Sequence, residues 1–336
     1  MAIPEDLPLA VTMGDPAGCG PQITLRAWQI LSANPGTTPF YVTGDPAIYG
    51  DAAAIIERPA DAARVFKDRL PVLPLGTSLP SFKTGTPDSA LAPAIIESID
   101  RAMADTFAGL AGGVVTNPIS KAVLYNAGFR HPGHTEYLAE LCEAETGQAS
   151  PPVMMLVGGG LRVALATIHV PLMRILDHLT PTALETVIRT TARALTRDFG
   201  IDMPRIGLTG LNPHAGESGT IGLEERDIIN PVADQLRKDG IDVSDARSAD
   251  TIFAETLDGR FDVVIAMTHD QGLIPVKTLD IWGGVNTTLG LHIIRTSPDH
   301  GTAYDAAAEN KARPDSLIAA IRLASKMAAQ RARHDG

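Results

Sequence analysis

Phe261-Asp-Val-Val-Ile-Ala-Met-Thr-His269 decides the fold. Its five apolar residues, Val263 to Met267, are too few for a typical helix and are rich in β-branched side chains. Such a run reads as a strand buried on both faces of an α/β sheet. Val163-Ala-Leu-Ala-Thr-Ile-His169 and Arg205-Ile-Gly-Leu-Thr-Gly-Leu-Asn-Pro-His214 read the same way, and each run stops at a histidine among polar or turn-forming residues. Sheets of this kind keep their chemistry in the crevice outside the carboxyl ends of the strands. Three imidazoles delivered from three strand ends therefore converge, and neutral imidazole is a common ligand for a zinc-like ion. Taken singly, each is an ordinary hydrogen-bonded histidine; the repetition, at spacings that suit recurring βα units, favours a shared site. No HExxH or CxxC motif adds to this signal.

A chain of 336 residues is long enough for two domains of about 150 residues each. With 44% hydrophobic and 20% charged residues it has the composition of a soluble globular enzyme. A formal charge of -11 argues against nucleic acid as a partner, because neutralising phosphates requires a basic face. Cys19 and Cys142 stand far apart and outside any CxxC pair, as in a reduced cytosolic protein. Met-Ala-Ile-Pro-Glu-Asp at the start lacks the basic-then-apolar pattern of a signal peptide. No apolar run approaches the ~20 residues that span a bilayer. The expectation is a soluble, cytoplasmic protein with no membrane partner.

Leu9-Ala-Val-Thr-Met13 reads as a first strand, followed by Gly14-Asp-Pro-Ala-Gly-Cys-Gly-Pro21 and a helix over 22–31. A dinucleotide fingerprint fails here, since Pro21-Gln22-Ile23 follows Gly18-Cys19-Gly20 where GxGxxG needs a third glycine. The loop is then either a tight turn with Pro21 in the first helical turn or an anion cradle at a helix start. Phe40-Tyr-Val-Thr43, Pro71-Val-Leu-Pro-Leu75 and Gly113-Val-Val115 read as further strands, and 90–108 and 314–333 as amphipathic helices. Strands alternating with helices predict a largely parallel sheet.

Two polar groups stand out from this frame. His131-Pro-Gly-His134-Thr135-Glu136 places a Pro132–Gly133 turn ahead of a helix. It is a cap with a surface histidine, or His134 and Thr135 donate hydrogen bonds to an anion at that helix start. Lys277, Asn286 and Arg295 lie in apolar, glycine-bearing sequence without local carboxylates. Buried cations need partners, so they meet either distant carboxylates or an anionic ligand carrying phosphate or carboxylate.

At these residues the chain resembles the 4-hydroxythreonine-4-phosphate dehydrogenase family of the vitamin B6 pathway. The matching motifs include Gly14-Asp-Pro-Ala-Gly, Gly133-His-Thr-Glu136, Ala166-Thr-Ile-His169, Leu211-Asn-Pro-His-Ala-Gly-Glu217, Ala249-Asp-Thr251, His269-Asp-Gln-Gly272, Gly284-Val-Asn286 and Arg295-Thr-Ser-Pro-Asp-His-Gly-Thr-Ala303. They run in order across nearly the whole chain. The resemblance implies a two-domain α/β/α fold like that of isocitrate and isopropylmalate dehydrogenases, with an interdomain cleft. It implies a cofactor-side domain over 1–130 plus 280–336 and a metal, substrate and dimerisation domain over 131–279. It also implies a homodimer with a shared active site, and one divalent cation per subunit (zinc, magnesium or cobalt) on His169, His214 and His269, one of them from the other subunit. His134, Thr135, Lys277, Asn286 and Arg295 match the family's substrate contacts, and His300, Gly301, Thr302 and Ala303 its NAD or NADP loop.

The activity so implied is NAD(P)-dependent oxidation of 4-phosphohydroxy-L-threonine, a small phosphorylated amino acid, at C3. The resulting 2-amino-3-oxo-4-phosphooxybutanoate then loses CO2 to give 3-amino-2-oxopropyl phosphate. Asp250, Asp270 and Lys277 are the candidate bases for the hydroxyl proton. Two other readings stand beside it: a paralogue oxidising 4-phosphothreonate or 4-phosphoerythronate, and a metal-dependent hydrolase of a phosphorylated metabolite, which leaves the 300–303 loop without a role.

Overall fold

A strand that is apolar on both faces needs helices on both sides, and the chain supplies them twice. The computed structural model describes residues 7–131, 133–149 and 151–335. Its strands are β1 Leu9–Thr12, β2 Phe40–Gly44, β3 Ala53–Ile55, β4 Leu70–Pro74, β5 Val114–Val115 and β6 Val153–Gly158. They continue with β7 Leu161–Leu165, β8 Ile206–Thr209, β9 Val243–Arg247, β10 Val263–Ala266, β11 Val285–Leu289 and β12 Arg295–Pro298. The chain divides into two compact units, Met1–Ser150 with Leu291–Gly336, and Pro151–Gly290.

In the first unit the strands lie in the order β3-β4-β2-β1-β5-β12, and every pairing is parallel. Ala10 of β1 joins a cluster with Ile95, Ile99 and Met103 of the helix Ala92–Phe107. Its neighbours Leu9 and Val11 are equally buried, and the helix Asp315–Asp335 lies against β1, β5 and β12. Helix Gly20–Ser32 has its proline in the first turn, as its sequence predicts. Leu138 and Cys142 of the helix His134–Thr146 belong to the same cluster as Ile95 and Ile99. That burial draws His134 into this unit, whereas the sequence expectation grouped it with 131–279. Of the expected Pro132–Gly133 turn, Pro132 lies outside the described residues.

The second unit has the order β11-β6-β7-β10-β8-β9. Here β7, β10, β8 and β9 are parallel, while β6 pairs antiparallel with both β7 and β11. A two-residue turn of Gly159 (φ 58°) and Gly160 (φ 84°) closes the β6–β7 hairpin; both residues take positive φ, as the turns suited to strand twist require. Strand β10 is buried on both faces. Val263 and Ile265 pack with Leu184, Ile188 and Leu195 of the helix Pro181–Phe199. Val264 and Ala266 pack with Ile252, Leu273 and Val276 on the other side. This arrangement explains the unbroken apolar run at 263–267.

Gly14 turns the chain at the end of β1 with φ 70°. A Cβ there would stand 2.6 Å from Asn117 Cβ and 2.9 Å from the Pro118 carbonyl oxygen, which accepts the Asp15 N–H at 2.9 Å. Left-handed backbone and a backbone clash act together at this residue. Gly14→Ala is expected to lower stability by about 2–4 kcal/mol in urea titration; a change below about 1 kcal/mol would show that the loop has room to give.

Candidate active site

Three adjacent parallel strands, β7, β10 and β8, lead to the three histidines. Beyond the strands the Ala166 N–H donates to the Ala266 carbonyl at 2.9 Å and the Thr167 hydroxyl to the Met267 carbonyl at 2.7 Å. This keeps the two chain segments side by side, and the rings of His169 and His269 meet with centroids 5.6 Å apart, tilted by 42°. His169 sits at φ 52°, a region that a residue with a β-carbon rarely occupies and that clusters at functional sites.

His-Asp-Gln-Gly divides its labour at the start of the helix His269–Leu279. His269 faces His169, and Asp270 Oδ1 lies 2.8 Å from His269 Nδ1, leaving Nε2 as the free ring nitrogen. Gln271 Oε1 accepts the Thr268 N–H and the Thr209 hydroxyl, and its Nε2 donates to the Gly210 carbonyl. It thereby staples the end of β10 to the end of β8. At Gly272 a Cβ would stand 2.5 Å from Leu165 Cδ2 and 3.1 Å from Val163 Cγ1, so glycine lets this helix lie close on β7.

His214 follows β8 on an unusual turn. His214, Ala215, Gly216, Glu217 and Ser218 all have positive φ, from 44° to 75°, a short left-handed coil in which the residues with a β-carbon are each disfavoured by roughly 1–2 kcal/mol. Buried Glu225 supports it. Its Oε1 accepts the Asn212 N–H at 2.7 Å and its Oε2 the Asn212 Nδ2 at 3.0 Å, while Glu224 Oε2 accepts from Nδ2 at 2.7 Å. Gly216 closes over the same carboxylate. Within this chain His214 does not join the other two: among the described residues no three His, Cys, Asp or Glu side chains gather to hold a metal ion. Asp250 lies on the exposed turn after β9, Lys277 two turns along the helix from His269, and Asn286 on β11 with its Oδ1 buried and unpartnered.

The first unit holds a cavity of about 160 Å³, lined by Asn117, Lys121, His134, Arg295, Ser297 and His300 among others. Arg295 opens β12 and is buried; its Nε and Nη2 donate to the Thr116 hydroxyl at 3.1 and 2.7 Å. Burial pulls its pKa down to about 10, against the pull of the Glu136 carboxylate. Burial also holds His134 well below the ordinary imidazole pKa, and the charge on Arg295 adds to the effect. His134 is therefore a neutral ring, with a buried Nε2 that no partner satisfies. Thr135 follows it in the first turn of the same helix. His300 and Gly301 line this cavity too, so two groups that sequence treats separately, the 134 and 295 pair and the 300–303 loop, meet at one cavity.

That loop is docked on the glycine-rich turn. The Cys19 N–H donates to the Thr302 carbonyl at 2.8 Å, and Gly18 admits the same carbonyl where a Cβ would lie 2.9 Å from it. Ala303 is left-handed at φ 44°. The Tyr304 hydroxyl donates to buried Asp15 Oδ2 at 2.5 Å, and burial raises the pKa of Asp15. Asp15 also takes the Ala17 N–H on Oδ1 and the Gly18 N–H on its carbonyl. The N–H groups of residues 17, 18 and 19 are thus all engaged within the protein. A larger cavity of about 560 Å³ opens beside it, at the carboxyl ends of β1, β2 and β4, lined by Gly18, Gln22, Asp45, Ile48, Phe82 and Thr84 among others.

Histidines at strand ends and a cavity around a buried arginine, on an α/β scaffold, fit an enzyme of small metabolites. Comparison with known proteins is specific: the sequence model described as pyridoxal phosphate biosynthetic protein PdxA matches residues 36–324, and the chain belongs to that family. It is 49% identical over 333 residues to 4-hydroxythreonine-4-phosphate dehydrogenase of Methylorubrum extorquens, covering 96% of this chain and 95% of that one. The enzyme of the same name from Klebsiella pneumoniae, solved as a crystal structure, aligns with a TM-score of 0.83 at 35% identity, covering 96% and 99%. A terephthalate 1,2-cis-dihydrodiol dehydrogenase from Burkholderia xenovorans aligns at 0.65 with 30% identity, covering 95% and 98%.

The support beneath His214 can be tested without activity. Glu225→Ala leaves the half-buried Asn212 N–H without its acceptor, while Asn212 Nδ2 keeps Glu224, and is expected to cost about 1–3 kcal/mol in thermal unfolding, with faster amide exchange at 214–218. Ala215→Gly relieves one left-handed residue and should stabilise by up to about 1 kcal/mol. If both variants unfold like the parent protein, the turn is not strained.

Proposed function

We propose that the protein oxidises 4-phosphohydroxy-L-threonine at C3 with NAD or NADP, using a divalent ion held by His169, His214 and His269 in a homodimer. The observation that carries this reading is the His169–His269 pair. Two imidazoles sharing one ion at Zn–N distances of about 2.0–2.1 Å have ring centres ~5 Å apart, close to the 5.6 Å found. Asp270 on His269 Nδ1 is the outer partner that metal-bound histidines use to fix their tautomer. An all-imidazole set suits zinc or cobalt better than magnesium. The exposed apolar side chains of the second unit, Leu172, Met173, Leu176, Ile274 and Trp282, stand in the segments that carry His169 and His269. That favours a second copy of the chain over this surface, completing the triad with its own histidine.

A divalent ion there would supply Lewis acidity toward the substrate's hydroxyl, and a nicotinamide would supply the hydride acceptor. The chain's own residues do the rest. Arg295, His134 and Thr135 take the substrate's anionic end, with Lys277 and Asn286 as further substrate contacts. His300, Gly301, Thr302 and Ala303 receive the cofactor, and the Asp15–Tyr304 hydrogen bond holds that loop in place. Because Asp270 is engaged with His269, it serves to orient the ring, and Lys277 and Asp250 remain the candidates to take the hydroxyl proton. Oxidation leaves a carbonyl β to the carboxylate, and such acids lose CO2 readily. The hydrolase alternative has no support in relatives that are named as dehydrogenases.

A second reading, oxidation of a different substrate on the same scaffold, draws on the terephthalate dihydrodiol dehydrogenase relative. A side-by-side assay of NADH formation separates them: 4-phosphohydroxy-L-threonine is expected to outpace 4-phosphothreonate and 4-phosphoerythronate by at least about tenfold in kcat/KM, about 1.4 kcal/mol of transition-state preference. The reverse order would transfer the assignment to a paralogue. Exhaustive chelation should abolish turnover and leave circular dichroism unchanged, and Asp270→Asn should weaken cobalt binding by about 10–100-fold in equilibrium dialysis. Full activity in the metal-free protein would remove the ion from the proposal.

A further inference from the structure

Charge in the 160 Å³ cavity does not balance on Arg295 alone. A phosphate monoester carries about -1.5 to -2 at neutral pH, whereas His134 is a neutral ring there. Among the described residues the cavity lining contains one other cation, Lys121, and no carboxylate. Ser120 caps the short helix Lys121–Asn126, accepting the Val123 N–H, which aims the chain so that Lys121 opens the helix beside the cavity. Gly133, just before His134, leaves room for its ammonium: a Cβ there would stand 3.3 Å from Lys121 Nζ and 2.7 Å from Glu136 Oε2. The ammonium and the Glu136 carboxylate thus share the approach to the helix that carries His134.

We propose that Lys121, which lines the same cavity, is a further substrate-binding residue and holds the substrate's phosphate together with Arg295. The proposal deepens the functional reading above and rests on its phosphorylated substrate. Arg295 is buried and tied to Thr116, so it gives the site a rigid planar donor. Lys121 is exposed, and its flexible stem lets the ammonium close on the incoming oxygens. The neutral imidazole of His134 adds a hydrogen bond without adding charge.

Inorganic phosphate, titrated calorimetrically into the full-length protein, is the probe. Lys121→Met is expected to weaken its binding by about tenfold or more, as for loss of one charge-assisted contact, and Lys121→Arg to stay within about threefold of the parent protein. The KM for phosphohydroxythreonine should rise in step with the phosphate Kd, with the KM for the nicotinamide cofactor and the melting temperature unchanged. A parent protein that takes up no phosphate, or a Lys121→Met variant that binds it as the parent does, overturns the proposal. If phosphate binding responds as expected while phosphohydroxythreonine yields no NADH, the substrate assignment fails and the phosphate site stands.

Discussion

The site of this protein rests on central strands that are apolar on both sides. Val263, Val264, Ile265 and Ala266 alternate between two helical layers, so nothing polar can sit along the strand itself. At roughly 25 cal/mol per Å² of apolar surface removed from water, that burial holds the layers together and pushes chemistry to the places where strands stop. His169, His214 and His269 are found there, beyond β7, β8 and β10. The first unit obeys the same rule with a fully parallel sheet: Gly14, Asp45, Thr116 and His300 all follow strand ends.

Much of this was legible in the sequence. The runs at 9–13, 40–43, 71–75 and 113–115 are strands, and the helices read at 90–108 and 314–333 appear as Ala92–Phe107 and Asp315–Asp335. The β6–β7 hairpin was not read, although Gly159-Gly160 between apolar runs is its ordinary signal. Edge strand β9 escaped because Val243-Ser-Asp-Ala-Arg247 is mostly polar, and a partly exposed strand carries little apolar pattern. The glycine-rich turn near residue 18 left two readings open. Only the fold shows that the N–H groups of residues 17 to 19 are already taken.

Site residues divide in the same way. Histidines at strand ends announce themselves by position. Their supports do not, because each acts over a long sequence separation: Gln271 reaches Gly210, Glu225 reaches Asn212, and Tyr304 reaches Asp15. Nor does any pattern foretell the left-handed coil at 214–218, since Ala, Glu and Ser seldom adopt that conformation. Lys121 sat in a stretch legible only as a turn into a helix, and its neighbours Arg295 and His134 come from distant parts of the chain.

The first unit is assembled from two stretches of chain. Its strand β12 and helix Asp315–Asp335 follow the whole of 151–290, and the contacts of Cys19 with Thr302 and of Asp15 with Tyr304 join residues nearly three hundred positions apart. The second unit is one uninterrupted segment. During synthesis from the N-terminus, residues 151–290 can therefore reach their final form while the earlier half of the other unit still waits for its last strand. Loop closure over such a span is slow, so the waiting half, with the β5 edge uncovered, is where a chaperone would find the nascent protein most in need of shelter.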